Sequence, residues 1–175
     1  MARILIVYST TDGHTREICE RLRTVVEQQA HQVTLVPFAE VAEADLESSD
    51  KVVVGASIRY GRHSPLLVQF IERHAQLLNR KSSAFFSVSV VARKPDKNQP
   101  DTNPYVRKLL RRIRWRPGQV AVFAGKIDYP RYGFLDRLVI RGIMWLTGGP
   151  TDPEAAVDFT DWRQVEAFGS LIARM

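Results

Sequence analysis

Five short apolar runs constrain this chain more than any other feature: Arg3–Tyr8, Gln32–Pro37, Lys51–Ser57, Ser83–Val91 and Val120–Gly125. Each is rich in β-branched residues and bounded by turn formers, as buried strands are. Helical spacing fills the intervals between them. Ile18, Leu22, Val25 and Gln29 share one stripe, with Cys19 and Val26 beside it. Leu67, Phe70, Ile71, His74 and Leu78 share a second, opened by Ser64-Pro65 as cap and first-turn proline. Val106, Leu109, Leu110 and Ile113 follow Asn103-Pro104 in the same roles, and Trp162, Val165, Phe168 and Ile172 follow Thr160 as a cap. Ala39–Glu47 suits only a short acidic helix. Strands alternating with helices imply βαβ units, hence a parallel sheet covered on both faces. The expected class is α/β, a doubly wound five-stranded parallel sheet in the order 2-1-3-4-5, with its ligand beyond the carboxyl ends of the strands. The interval Lys126–Phe159 is too long for a plain βα connection and reads as an insertion after strand five.

The 175 residues suit one domain spanning 1–175, with a core of useful size. The net charge of +6 is localised: Arg93–Arg116 holds nine Lys or Arg and two Asp, a balance of +7. A segment this basic suits a nucleic acid, an anionic membrane surface or an acidic small molecule, or is simply a solvated helix face. The single cysteine, Cys19, excludes an internal disulfide and fits a small buried helix residue in a reducing cytoplasm. Met1-Ala2-Arg3 leads straight into a strand, so no secretory leader is expected, and no apolar run reaches the ~20 residues of a spanning helix.

After the first strand comes Ser9-Thr10-Thr11-Asp12-Gly13-His14-Thr15, a hydroxyl-rich turn around one glycine at the start of a helix. It contains neither G-x-x-x-x-G-K-[ST] nor G-x-G-x-x-G, so neither a triphosphate nor a dinucleotide loop is expected. Free backbone N–H groups at the positive helix end, with hydroxyls around them, would hold a phosphate monoester. An ordinary capped βα turn is the alternative.

At this point the chain resembles a known signature. "ILIVYSTTDGHTREI" is similar to the flavodoxin pattern, in which an aromatic residue after strand one precedes a Ser/Thr-rich turn with Gly-x-Thr; Tyr8, Thr10, Gly13 and Thr15 match it. Asp12, Cys19 and Glu20 depart from it. A carboxylate facing a phosphate would be repelled, so Asp12 is expected to cap the helix or turn outward. "VVVGASIRYGRHSP", "AFFSVSVVARKPDKNQPDTNPYVRK", "WRP", "YPRY" and "TGGPTD…FTDW" resemble the flavodoxin-like family of bacterial quinone-dependent (menaquinone-dependent) protoporphyrinogen oxidases. That resemblance runs from residue 3 to about 170. It implies FMN, the six-electron oxidation of protoporphyrinogen IX to protoporphyrin IX in haem biosynthesis, and menaquinone or ubiquinone as acceptor.

Carried over position by position, the resemblance assigns Ser9, Thr10, Thr11, Asp12, Gly13, His14 and Thr15 to the FMN phosphate. Ser57, Ile58, Arg59, Tyr60 and Gly61 would flank the isoalloxazine, with Tyr60 stacking on it or packing over Pro65. Ser87, Val88, Ser89, Val90, Val91, Ala92, Arg93 and Lys94 would line its other side. The propionates of the substrate require cations, for which Arg59, Arg93, Lys94 and Arg131 are the candidates, each of which could equally be a solvated loop cation. No residue declares itself as catalytic base, and no metal site is expected.

Within the insertion, a helical projection of "RYGFLDRLVIRGIMWLTGG" puts Phe134, Leu135, Leu138, Val139, Trp145 and Leu146 on a broad apolar face, with Arg137 and Arg141 beside it. This reads as an interfacial helix, with Phe134, Leu138 and Trp145 in contact with the membrane and the arginines toward anionic lipid; packing on the sheet or on a dimer mate is the alternative. The expected location is peripheral, on the cytoplasmic side of the bacterial inner membrane. Oligomeric state stays open, a homo-oligomer included. A flavodoxin-type electron carrier shares the fold, but such carriers are typically acidic. A nucleic-acid binder would use Arg107–Arg116 with Trp115 interleaved, yet leaves the flavin-type loops without a role, so no nucleic-acid partner is expected.

Overall fold

The computed structural model describes residues 1–175. The elements are β1 (Arg3–Tyr8), α1 (His14–Glu27), β2 (Gln32–Pro37), α2 (Glu43–Ser48), β3 (Lys51–Arg59), β4 (Arg62–His63), α3 (Pro65–Arg80), β5 (Ser82–Ser89), α4 (Pro104–Arg112), β6 (Gln119–Ala124), β7 (Lys126–Asp128), α5 (Phe134–Thr147), β8 (Ala156–Asp158) and α6 (Trp162–Arg174). The five long strands are parallel in the order β2-β1-β3-β5-β6, which is the expected 2-1-3-4-5 arrangement when these strands alone are numbered. β4 folds back antiparallel on the end of β3.

Side-chain alternation divides the core between the two faces of the sheet. Leu5, Val7, Val52, Val54 and Phe85 face α3 and α4, joining Leu67, Ile71, Leu78, Val106 and Trp115. Ile4, Ile6, Val53, Ala84 and Phe86 face α1 and α6, joining Ile18, Leu22, Val26, Val165, Phe168 and Ile172. Gly55 sits at the sheet centre because a Cβ there would overlap the Phe86 ring. Cys19 is fully buried, and burial pushes its thiol pKa far up, so it packs as a small apolar group.

The caps at Ser64 and Asn103 form as expected: Ser64 Oγ accepts from Leu66 N–H at 3.2 Å, and Asn103 Oδ1 accepts from Tyr105 and Val106 N–H at 3.1 and 3.2 Å. Thr160 is not a cap. That role falls to Asp161, whose carboxylate accepts from Arg163 and Gln164 N–H. Strand β5 stops at Ser89 rather than Val91, because its partner β6 ends at Ala124 and Gly125 N–H closes on Ser89 O at 3.1 Å. Val90–Arg93 then forms a 3₁₀ turn in spite of its β-branched pair. The basic-segment aromatic, Trp115, is wholly buried and donates Nε1–H to Ser83 Oγ at 3.0 Å, so it does not interleave with the surface cations.

The insertion is a closed unit. β7 and β8 pair antiparallel at its two ends, and Ile127, Tyr129, Tyr132 and Met144 form a small core between that ribbon and α5.

Candidate functional site

One cleft of about 180 Å³ lies beyond the carboxyl ends of β1, β3, β5 and β6, and α5 forms its far wall. The phosphate-type turn is built on a glycine and a threonine. Gly13 takes φ +89°, a left-handed value at which a side chain would be strained, and leads into the fourteen residues of α1. Thr10 Oγ1 accepts from Gly13 N–H at 2.9 Å and locks the turn. The N–H groups of Thr11, Asp12, His14 and Thr15 make no hydrogen bond within the chain, leaving a cluster of donors at a helix N-terminus.

The structure gathers Thr10, Thr11, Asp12, His14, Thr15, Ser57, Ile58, Arg59, Tyr60, Gly61, Val88, Ser89, Val90, Val91, Arg93 and Arg131 on the cleft wall. Ser9 lines an adjoining depression with Thr10, Ser57 and Tyr60. Gly13, Ser87, Ala92 and Lys94 do not line the cleft: Ser87 is fully buried against His63 Nε2 at 2.9 Å, and Ala92 belongs to the core. Residues that no sequence signal placed here complete the wall, chiefly Lys126, Asp128, Tyr132, Ile140, Ile143, Met144 and Thr147 of the insertion.

Charge within the cleft is tightly paired. Arg59 donates from Nη1 to Asp12 Oδ2 and from Nη2 to Asp136 Oδ2, both at 2.7 Å, and its guanidinium lies over the rings of Tyr60 and Tyr132. Asp12 therefore turns outward to an arginine rather than capping α1. Burial acts against the Arg59 charge, but Asp12, Tyr60 and Asp136 outweigh it, and its pKa rises. Tyr60, at φ +51° and half exposed, donates its hydroxyl to Asp136; this hydrogen bond pulls the Asp136 pKa down and the Tyr60 pKa up. Arg93 turns to the protein: it donates to Val90 O and Thr147 O, both at 3.1 Å, and so clamps the turn after β5 to the last turn of α5.

His14 is likewise a fastening. Thr160 spends its hydroxyl proton on Ala124 O at 2.8 Å, so it accepts from His14 Nε2–H at 2.7 Å; His14 Nδ1 faces Glu17 at 3.0 Å. The start of α1 is thereby tied to the exit of the insertion. One buried polar group has no such partner. Ser89 Oγ, on the cleft wall and in a residue only 4 % exposed, makes no hydrogen bond. An orphaned hydroxyl of this kind is expected where a polar ligand completes the site.

On the outer side of α5, Phe134, Leu135, Trp145 and Leu146 are each about three-quarters exposed, with Leu138 and Val139 half exposed. Arg137 and Arg141 do not extend outward as the sequence suggests: their Nε–H groups donate to Tyr129 O at 3.2 Å and Thr151 O at 2.8 Å. No helix is long and apolar enough to cross a membrane.

The flavodoxin domain family matches residues 5–154. Among curated proteins, the chain is 44% identical over 173 residues to "Protoporphyrinogen IX dehydrogenase [quinone]" of Escherichia coli (strain K12), covering 99% of this chain and 96% of that one. It is 41% identical over 174 residues to the protein of the same name from Leishmania major, covering 99% and 75%. Among solved structures, an archaeal flavodoxin superposes with TM-score 0.55 at 16% identity, covering 98% of this chain and 96% of that chain. A short-chain flavodoxin associated with a bacterial microcompartment superposes with TM-score 0.58 at 13% identity, covering 99% and 98%. With this cleft at the carboxyl ends of a 2-1-3-4-5 sheet and identity along nearly its whole length, the chain belongs to the flavodoxin family, among the relatives named protoporphyrinogen IX dehydrogenase [quinone].

Proposed function

We propose that the chain holds FMN in this cleft, oxidises protoporphyrinogen IX to protoporphyrin IX, and delivers the electrons to a membrane quinone, menaquinone or ubiquinone. The observation that carries the reading is the joining of three features in one cleft: the free N–H groups of Thr11, Asp12, His14 and Thr15, the orphan hydroxyl of Ser89, and the apolar wall of Ile140, Ile143 and Met144. The donor set suits a phosphate monoester, and Ser89 suits a polar ring edge, so the residues present fit FMN. FMN, when bound, takes the electrons from substrate and passes them to quinone.

The chain's own residues bind, orient and exclude water. Thr15, buried at the base of the turn, adds a hydroxyl to the phosphate donors. α5 closes one side with aliphatic side chains, which suits a flat apolar macrocycle and keeps water from the reacting face. Arg131 is exposed on the same wall and can meet a propionate without first breaking a strong internal contact; its Nε lies 4.0 Å from Asp128. Arg59 can meet a second propionate by exchanging it for Asp136 or Asp12. Lys94, off the wall, and Arg93, committed to α5, are weaker candidates.

The outer apolar face of α5, with Phe134, Leu138 and Trp145, serves as a peripheral contact with the cytoplasmic side of the inner membrane, where the quinone resides. Burying these side chains in the headgroup region is favourable by ~25 cal/mol per Å² of apolar surface. Residues 1–175 then act as one domain, because the insertion supplies a wall of the cleft formed by the sheet.

The test is anaerobic. Protoporphyrinogen IX should bleach the flavin absorbance of the FMN-loaded protein, and a soluble quinone analogue should restore it. Bleaching by a reduced flavodoxin partner, with none by porphyrinogen, would identify a carrier instead.

A further inference from the structure

Of the nine cations in the basic segment, seven fall in the structure into two groups, with Lys94 and Lys97 outside both. Arg93, Arg114 and Arg116 are used internally: Arg93 clamps α5, Arg114 pairs with Glu72 at 2.7 Å, and Arg116 donates to the carbonyls of Leu110 and Ile113. Arg107, Lys108, Arg111 and Arg112 are different. All four are exposed on α4, surround one shallow depression with Pro104, and form neither an ion pair nor a side-chain hydrogen bond. They stack in the i,i+4 rows Arg107/Arg111 and Lys108/Arg112, where like charges repel and weaken a helix. The helix dipole offsets this for Arg111 and Arg112 in the last turn, but not for Arg107 and Lys108.

The chemistry of the patch selects its partner. It contains no aromatic side chain for base stacking, because Trp115 is buried in the core. It contains no buried polar group to fix the orientation of a small acidic molecule. What it offers is four cations without an ion-pair partner over less than two helical turns, the complement of an anionic surface. Its place in the fold is equally specific: α4 begins at the cleft rim, where Tyr105 shares the wall with Ile143 and Met144 of α5. The basic helix and the apolar helix thus border the same cleft.

We propose that Arg107, Lys108, Arg111 and Arg112 on α4 form a second membrane contact, docking on anionic phospholipid headgroups while α5 supplies the apolar contact. This rests on the peripheral-membrane reading above. Binding of an interfacial helix grows with its buried apolar area and with electrostatic attraction to anionic lipid, and a basic patch supplies the second contribution. Two contacts on helices that border one cleft bring that cleft to the layer that holds the quinone.

The experiment is co-sedimentation of the full-length, FMN-loaded protein with vesicles of phosphatidylcholine alone or mixed with phosphatidylglycerol, at low and high salt. The variant Arg107→Gln/Lys108→Gln/Arg111→Gln/Arg112→Gln should lose roughly tenfold or more of its affinity for the anionic vesicles, with a shallower salt dependence. Its binding to neutral vesicles and its porphyrinogen oxidation with a soluble acceptor should stay at wild-type values. The half variant Arg107→Gln/Lys108→Gln, which leaves the last turn intact, should show an intermediate loss. Leu138→Glu/Trp145→Glu should weaken binding to both kinds of vesicle. Wild-type affinity of the fourfold variant for anionic vesicles overturns the α4 contact alone; failure of the wild-type protein to bind any vesicle overturns the membrane reading as well. Loss of binding to a labelled oligonucleotide with vesicle binding intact would reassign α4 to nucleic acid.

Discussion

Arg59 and Asp136 meet across the cleft at 2.7 Å, and through them the end of β3 holds the first turn of α5. The same guanidinium holds Asp12 in the phosphate-type turn, so three segments far apart in sequence converge on one side chain. Arg59 thus already carries two carboxylates. A substrate propionate would replace one of them rather than fill a vacant site. Asp136→Asn should therefore free the start of α5, and hydrogen exchange over 134–147 should become several-fold faster. It should also lower KM for porphyrinogen, since an internal competitor is gone, with kcat changed less. A raised KM would mean that Asp136 positions Arg59 for substrate instead.

The turn proposed to hold the phosphate separates two kinds of threonine. Thr10 accepts from Gly13 N–H and shapes the loop, whereas Thr15 is buried with its hydroxyl on the cleft wall. A neutral hydroxyl donating to a charged phosphate contributes about 1.5–3 kcal/mol. Thr15→Ala should then weaken FMN by roughly ten- to hundredfold at 1.4 kcal/mol per decade and leave riboflavin nearly unaffected. Fluorescence titration with the two ligands measures the difference directly. Equal losses for both would place the phosphate elsewhere.

His63 sets a pH dependence of stability. It is buried beside Ser87 and Phe85, and burial lowers its pKa from 6.5 to about 4. The unfolded chain therefore binds the proton more readily. The contribution of neutral His63 is full above about pH 6.5, declines as pH falls, and is exhausted below about pH 4. The shift corresponds to about 3 kcal/mol across that window at 1.36 kcal/mol per pKa unit. Urea unfolding at pH 7, 6 and 5 should show the decline, and His63→Asn should flatten that part of the profile while lowering stability at pH 7. An unchanged slope in the variant would count against His63 as the source.

The strands and two of the helix caps were legible because they are local, and the strand order followed from the doubly wound arrangement that alternating strands and helices imply. β-branched runs such as Val52–Val54 and the Ser-Pro and Asn-Pro pairs carry their geometry within a few residues. What could not be read depends on partners distant in the chain. The three-residue strands β7 and β8 are too short to show a period, and they pair only because the ends of the insertion come together. Val90 and Val91 look like strand, yet Gly125 closes the ladder at Ser89. The fastening role of His14 is invisible until Thr160, 146 residues away, is seen to accept its hydrogen bond. The site followed the same division: the turn at 9–15 and the Arg59 loop were visible as motifs, while the wall supplied by α5, and the commitment of Arg59, Arg93, Arg137 and Arg141 to internal partners, depended on the folded insertion.

Ser89 permits a prediction in which stability and binding move in opposite directions. Its hydroxyl is buried on the cleft wall with no partner in the chain. An unsatisfied buried polar group costs about 1–3 kcal/mol, and the cost disappears when the hydroxyl is removed. Ser89→Ala should therefore leave the flavin-free protein at least as stable as wild type in urea. If the hydroxyl is kept for a polar edge of the ring system, the same variant should bind flavin several-fold more weakly, and riboflavin should suffer as much as FMN because the phosphate is not involved. The two-electron potential of the bound flavin should shift as well, since a hydrogen bond at the ring edge differs in strength between redox states. A structural role for the hydroxyl predicts the reverse pattern, with lower stability of the flavin-free protein and unaltered flavin affinity. Urea titration of the flavin-free protein, paired with fluorescence titration of both ligands, separates the two.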